Sequence, residues 1–466
     1  MTSVERLDRI NKNGRTQKSR KIHLGTVVEL EDQKEMKVKK FHLKNTDRAG
    51  HLGCMGTTRI GKTRLLEYLI TQDIKAGHNV IAIDPKGDVD LLSKIIQTAA
   101  EAGRLHEIML ITPIYPDLSL KMDPLAYYYM QDELVDHVIS GIRAKEEYFI
   151  NVASEISTVI ISGLIAIATA KNEKLRLNFN DIKIRSTHPA LKKFSESLQF
   201  FKSHPDPEVS DTVNEVLANI EQILESPADF FAKVSSSLRT TLTALTSSTT
   251  GRIIGKAYTN EFVKRFEQGQ RVILICNTGS LLARRTAHII GRVLVSMIQS
   301  TVGRFFASGR EISPPLCLYI DEGHNILYKG IQELFNKAGG AGVWINFFTQ
   351  SKAQIEEEIG REACQSIIDN INTWVFMRVN HEKTAEFVEE LSPLKTIRQP
   401  YVHFDSGDIR ISLKEAEERL ILKERVMRLK PRWFYLKSSG NMYKGYVPDV
   451  SGPYVQVKFP KIRVVD

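Results

Sequence analysis

Cysteine is scarce and scattered. Cys54, Cys276, Cys317 and Cys364 are the four in 466 residues, and none forms a C-x-x-C pair. That spacing excludes a disulfide framework and a cysteine-based zinc site, and it predicts buried thiols in a reducing compartment. Long apolar runs are also missing. The most apolar stretch, Ile156 to Ala170, is interrupted by Ser157, Thr158, Ser162 and Thr169. It is short for a membrane span and is expected to be a buried helix. The polar, basic start has no apolar signal-peptide core. No internal repeat or low-complexity segment is present. Nor is there an acidic excess: 64 Lys and Arg face 55 Asp and Glu, a formal charge of +9. A basic balance points to a polyanionic partner, nucleic acid or an acidic membrane surface. The length allows two or three domains with ample core.

What is present begins with Gly56-Thr57-Thr58-Arg59-Ile60-Gly61-Lys62-Thr63, the pattern G-x-x-x-x-G-K-T. An apolar run, His51 to Met55, leads in, and a helical run, Arg64 to Lys75, leads out. Glycines let main-chain N–H groups approach an anion closely, and the following helix points its positive end at the same place. The residues from Gly56 to Arg64 are therefore candidates for nucleotide binding. Lys62 is expected to bridge the β- and γ-phosphates and the Thr63 hydroxyl to ligate Mg²⁺. A second element is the apolar run Leu316 to Ile320 followed by Asp321-Glu322. At a strand end Asp321 is expected to hold Mg²⁺ through its water shell, and Glu322 to polarise the attacking water. Adjacent carboxylates favour an ATP-hydrolysing motor over a GTP switch. Gln350 ends the next apolar run and is expected to sense the γ-phosphate or the attacking water. Asp84 and Lys86 end the run after the phosphate-loop helix, where they belong either to the site or to a turn punctuated by Pro85 and Gly87. Arg378 and Arg361 are candidates for an arginine that completes the site from a neighbouring subunit. Arg284, Arg285 and Arg292 lie on a predicted helix, where a solvated face or a DNA contact is the plainer expectation.

Apolar runs at 51–55, 79–83, 107–112, 271–276, 316–320, 343–348 and 373–379 alternate with helical spacing, except between about 130 and 250, which reads almost wholly helical. The expected fold class is α/β, a P-loop motor domain with a mainly parallel sheet plus an inserted all-α domain. The boundaries are a basic flexible arm over 1–24, a discontinuous nucleotide-binding domain over 25–134 and 241–466, and the all-α domain over 135–240. Within these, 25–50 predicts a small β-element, Leu413 to Met427 a helix, and the stretch beyond Pro431 a terminal hairpin.

With GTTRIGKT, IDPKGD, a MDPL stretch, the helical insert, LYIDEGHN, FFTQS and DNINTWVFMRV in this order, the chain resembles the coupling proteins of bacterial conjugation and type IV secretion, the TraD/TraG family, over roughly residues 45–450. Arg59-Ile60 in the loop is similar to the TraD type of integrative conjugative elements. The resemblance implies a RecA-like ATPase that forms a ring hexamer and translocates DNA, single-stranded and without sequence preference. It also implies docking to the relaxase–DNA complex, or relaxosome, and to the type IV secretion channel, at the cytoplasmic face of the inner membrane. Double-stranded DNA pumps of the FtsK and HerA type share the core, and a cargo-docking receptor using ATP for assembly is the alternative of another class. Two departures stand out. Relatives begin with two membrane helices, and none is legible here, so the chain is expected to be a soluble form or to borrow its anchor from a partner. Relatives also carry an arginine before the Gln-bearing strand, where this chain has Lys337 and no arginine in Asn336 to Gly342.

Overall fold

The computed structural model describes residues 21–30, 37–143, 146–405 and 408–457. Eleven strands form one mixed sheet. Its central block is parallel: β9 (Thr373–Phe376), β3 (Leu52–Met55), β8 (Val343–Thr349), β7 (Leu316–Ile320), β4 (Asn79–Asp84), β6 (Ile273–Asn277) and β5 (Ile108–Ile111), in that spatial order. From β9 the sheet continues antiparallel through β12 (Trp433–Ser438), β13 (Asn441–Tyr446), β1 (Lys21–Glu29) and β2 (Val38–Lys44). Every residue of β3, β4, β6, β7, β8 and β9 is buried. This accounts for their continuous apolar sequences, since a parallel sheet is covered on both faces. On one face lie α1 (Lys62–Ala76) and α2 (Val89–Glu101).

Between β5 and β6 the chain is helical among the described residues. It includes α3 (Gln131–Ser140), α4 (Glu147–Ala170), α5 (Pro207–Leu224) and α6 (Ser236–Thr246). Then α7 (Ser280–Ala307) crosses under the sheet, and α8 (Lys352–Ile359), α9 (Arg361–Asp369) and α10 (Glu382–Glu390) follow β8 and β9. α4 and α7 are the two described helices long and apolar enough to cross a membrane by length and composition. α4 packs on α3 and α5, and α7 packs on α3 and α6, so both apolar faces already have protein partners.

Three local expectations change. β1 starts at Lys21, inside the span read as a basic arm, because Ile22 and Leu24 are buried against the sheet; the rest of that arm lies outside the described residues. The helix expected over Pro227 to Leu245 divides at Ser235 into Ala228–Val234 and α6. The helix expected over Leu413 to Met427 is instead a strand for its first half. β10 (Leu394–Asp405) and β11 (Asp408–Arg419) form a two-stranded antiparallel ribbon, and only Lys423–Met427 is helical. Leu413 to Arg419 is rich in helix formers, but it continues a polar–apolar alternation that starts at Asp408. Cross-strand ion pairs, Lys395 with Glu418 at 3.3 Å and Arg398 with Glu415 at 3.2 Å, add to the pairing.

Behind the phosphate-loop helix a buried polar cluster joins four elements. Arg48 donates to both carboxylate oxygens of Asp73, at 2.7 and 2.6 Å, and stacks over Trp344 at 4.5 Å. Tyr319 and His78 also hydrogen-bond Asp73. Asp73, His78 and Cys317 lie close enough together to suggest a metal site, but the Arg48 fork already occupies both Asp73 oxygens and supplies the counter-charge. Arg48→Met leaves Asp73 charged and buried without its partner. It is expected to destabilise the fold by about 3–5 kcal/mol, read as a lower urea midpoint.

Candidate nucleotide-binding and hydrolysis site

The ends of the parallel strands meet at one edge, where open α/β sheets bind ligands. β3 stops at Met55 and the chain turns at once. The Gly56 N–H donates to the Thr349 carbonyl at 3.2 Å, and the Thr57 N–H to the Arg378 carbonyl at 2.8 Å. A Cβ on Gly56 would stand 2.9 Å from the Met377 Cβ, so the turn admits only glycine. Gly61, at φ +112°, makes the second bend into α1, which has no side-chain cap. Its first N–H groups are left facing the loop, an arrangement suited to phosphate. Thr58 and Arg59 are exposed, with Arg59 in the left-handed region at φ 57°, while Ile60 is buried. The Lys62 ammonium sits inside the loop and donates to the Gly56 carbonyl at 2.6 Å and the Thr57 carbonyl at 3.1 Å. Thr63 is part-exposed on the first turn of α1, and Arg64 turns away to pair with Glu67 at 2.7 Å.

Asp321 is 2% exposed at the end of β7, beside Asp84 and Glu322. Its Oδ1 accepts the Glu322 N–H at 3.0 Å. Burial, then the negative charges of Asp84 and Glu322, push the Asp321 carboxyl up to about 7. Burial likewise pushes Asp84 up to about 6. Two crowded acids that resist ionisation fit a divalent cation, whose charge would relieve both. Glu322 stands at φ 44°, ψ 44°, strained for a side-chain-bearing residue. Its Oε2 accepts the Gln350 Nε2 at 2.9 Å. The IDPKGD segment serves as turn and site edge together. Asp84 accepts main-chain N–H groups of Lys86 and Asp88, Gly87 takes φ +84°, and Asp88 caps α2. Lys86 is exposed.

The structure thus brings Gly56 to Thr63, Asp84, Asp321, Glu322, Gln350 and Arg378 to one edge. Arg378 lies against its own chain's loop, and its Nε is buried without a hydrogen-bond partner. Arg361 is exposed at the start of α9, and Lys337 pairs with Glu333 at 2.7 Å. Sequence reasoning passed over three neighbours. Asn380 donates to the Thr57 hydroxyl at 3.2 Å. The Arg432 N–H donates to the Ile60 carbonyl at 2.8 Å, supporting the loop from behind. His324 lies 3.8 Å from Glu322, with its Nδ1 buried and unpartnered, and burial lowers its pKa. Its place two residues after the Asp-Glu pair was the available signal.

The acids make a pH prediction. An unfolded Asp titrates near 3.9, whereas Asp321 and Asp84 hold protons in the fold up to about 7 and about 6. Between about pH 4 and 7 the folded state binds more protons, so stability falls as pH rises through that window. Asp321→Asn is expected to raise stability by about 2 kcal/mol at pH 8 in EDTA, with the gain shrinking toward pH 4, where both states are protonated. Thermal melts at the two pH values check it.

Residues 315–431 match the family model described as the TraM recognition site of TraD and TraG. The match includes Asp321, Glu322, Gln350 and Arg378 but not the phosphate loop. Among solved structures, the fold is similar to an unbound form of the bacterial conjugative coupling protein TrwB, with TM-score 0.66 and 15% identity over 91% of this chain and 90% of that one. TrwB in complex with the ATP analogue ADPNP gives TM-score 0.65 and 16% identity over 95% and 98%. TrwB in complex with ADP and Mg²⁺ gives 0.61 and 14% over 91% and 88%. No curated protein matches. Residues 315–431 are thus a TraD/TraG-family segment set within the fold of a conjugative coupling protein.

Proposed function

We propose that the chain is an ATP-hydrolysing DNA translocase of conjugative transfer, which links a relaxase–DNA complex to a type IV secretion channel. The observation that carries it is the Gln350–Glu322 hydrogen bond at the strand edge opposite Lys62. It joins a carboxylate able to activate water to a side chain able to report the γ-phosphate, a pairing that simple nucleotide storage does not need.

In this reading the amides of Gly56 to Thr63 and the Lys62 ammonium hold the phosphates, with Arg59 and Arg64 at the rim. Thr63 and Asp321 hold Mg²⁺, which supplies Lewis-acid stabilisation of charge on the phosphoryl oxygens. Glu322 orients the attacking water and accepts its proton. Gln350 fixes Glu322 and exchanges that bond for one to the γ-phosphate as nucleotide state changes. Arg378, beside the loop of its own chain, offers an unpaired N–H to developing negative charge. The helical segment 135–240 is assigned to a separate all-α domain. The working form is a homo-hexamer at the cytoplasmic face of the inner membrane, moving a single DNA strand without sequence preference.

A second reading, a docking receptor that uses ATP only to assemble, is favoured by the partner named for the 315–431 family segment in TraD and TraG. ATPase assays with single- and double-stranded DNA separate the two. The translocase is expected to be stimulated by DNA, and Glu322→Gln to keep nucleotide binding while losing turnover by about 10²–10⁴-fold. Lys62→Ala is expected to lose both. Nucleotide binding with turnover that no DNA concentration raises would favour the receptor.

A further inference from the structure

Away from the phosphate loop, the last turn of α3, α6 and the start of α7 enclose a pocket of about 380 Å³. Arg143, Arg284, Arg285, Arg292 and His288 line it together with Thr241, and no carboxylate does. α7 breaks at Ala283, whose φ −147°, ψ 67° are not helical, and this presents Arg284 and Arg285 to solvent. Leu281 and Leu282, immediately before them, are 85% and 70% exposed. Arg292 is the informative member. Its side chain is 4% exposed, yet its Nε has no hydrogen-bond partner. A desolvated guanidinium with an unused N–H is costly unless an acceptor reaches it.

One acid serves this group. Glu358, on α8, contacts Arg143 at 2.5 Å through one oxygen and Arg292 at 3.1 Å through the other. A single carboxylate facing four arginines leaves a strongly positive cavity. Burial and the neighbouring Arg292, Arg284 and Arg143 hold His288 down to about 4, so the imidazole is neutral at pH 7.

Taking the translocase reading as its basis, we infer that this pocket binds a backbone phosphate of a nucleic-acid strand, displacing Glu358 from Arg143 and Arg292. Planar guanidiniums match phosphate oxygens in pairs. The exposed Leu281 and Leu282 favour a strand over free phosphate, because apolar surface beside the cations suits a sugar or base and is wasted on a bare ion. The displaced carboxylate matters for turnover. α8 runs from Lys352, two residues beyond Gln350, to Ile359, one residue beyond Glu358. One short helix therefore connects the strand contact to the residue that holds Glu322.

The test compares the parent with Arg284→Ala/Arg285→Ala, whose side chains are exposed, and with Glu358→Gln. Binding of a fluorescein-labelled single-stranded oligonucleotide is followed by anisotropy across a salt series, with thermal melts confirming the fold. Each lost phosphate contact on a single strand should flatten the log–log salt slope by about 0.7, so the double variant should lose about 1.4. Glu358→Gln should bind at lower protein concentration, and DNA should stimulate the double variant's ATPase less than the parent's. A parent that binds DNA, with a double variant of unchanged slope, overturns the pocket alone. A parent that binds no oligonucleotide even at low salt overturns the translocase reading and the pocket with it. A double variant that loses calorimetric binding of inorganic phosphate but keeps the parent's DNA slope makes this a free-phosphate site and overturns the strand assignment.

Discussion

Two main-chain hydrogen bonds, from Gly56 to the Thr349 carbonyl and from Thr57 to the Arg378 carbonyl, tie the phosphate loop to the ends of β8 and β9. They fix where the loop stands relative to Gln350 on one side and Arg378 on the other. Side chains could not do this with equal rigidity, because a rotamer change costs far less than breaking a buried main-chain bond. The parallel register supplies the remaining placement, with Met55 opposite Thr349 and Phe376, and Ile83 opposite Ile320. Every residue assigned to the chemistry lies within a few positions of these pairs.

The same edge is electrostatically uncomfortable. Asp84, Asp321 and Glu322 converge with Lys62 as the nearest cation, and Lys62 is engaged with loop carbonyls. Folding against this repulsion requires compensation elsewhere, and the apolar strands and the Arg48–Asp73 cluster behind α1 provide it. Stability and reactivity are thus divided along α1: its first turn faces the strained acids, and its last turns anchor in a fully paired polar cluster.

Most of the sheet was legible because buried parallel strands are written as unbroken apolar runs, and because the phosphate loop and the Asp-Glu pair need fixed residue types at fixed strand ends. The match to TrwB over most of both chains agrees with that α/β reading. What was not legible depended on partners distant in sequence. Leu413 to Arg419 has helical composition, and only pairing with β10 makes it a strand. Arg432 gives no signal of its proximity to Ile60. Arg292 read as one more helix cation, because burial and an unpartnered Nε are properties of packing that charge spacing does not encode.

The contact between Arg432 and Ile60 has a bearing on how the chain is made. The strand that feeds the loop pairs on both sides with strands synthesised much later, and the loop's rear support comes later still, just before β12. A ribosome releasing this protein exposes residues 56–63 long before anything can hold them. The nucleotide loop is therefore among the first functional segments to emerge and among the last to become rigid, and affinity for nucleotide arises only with near-complete synthesis.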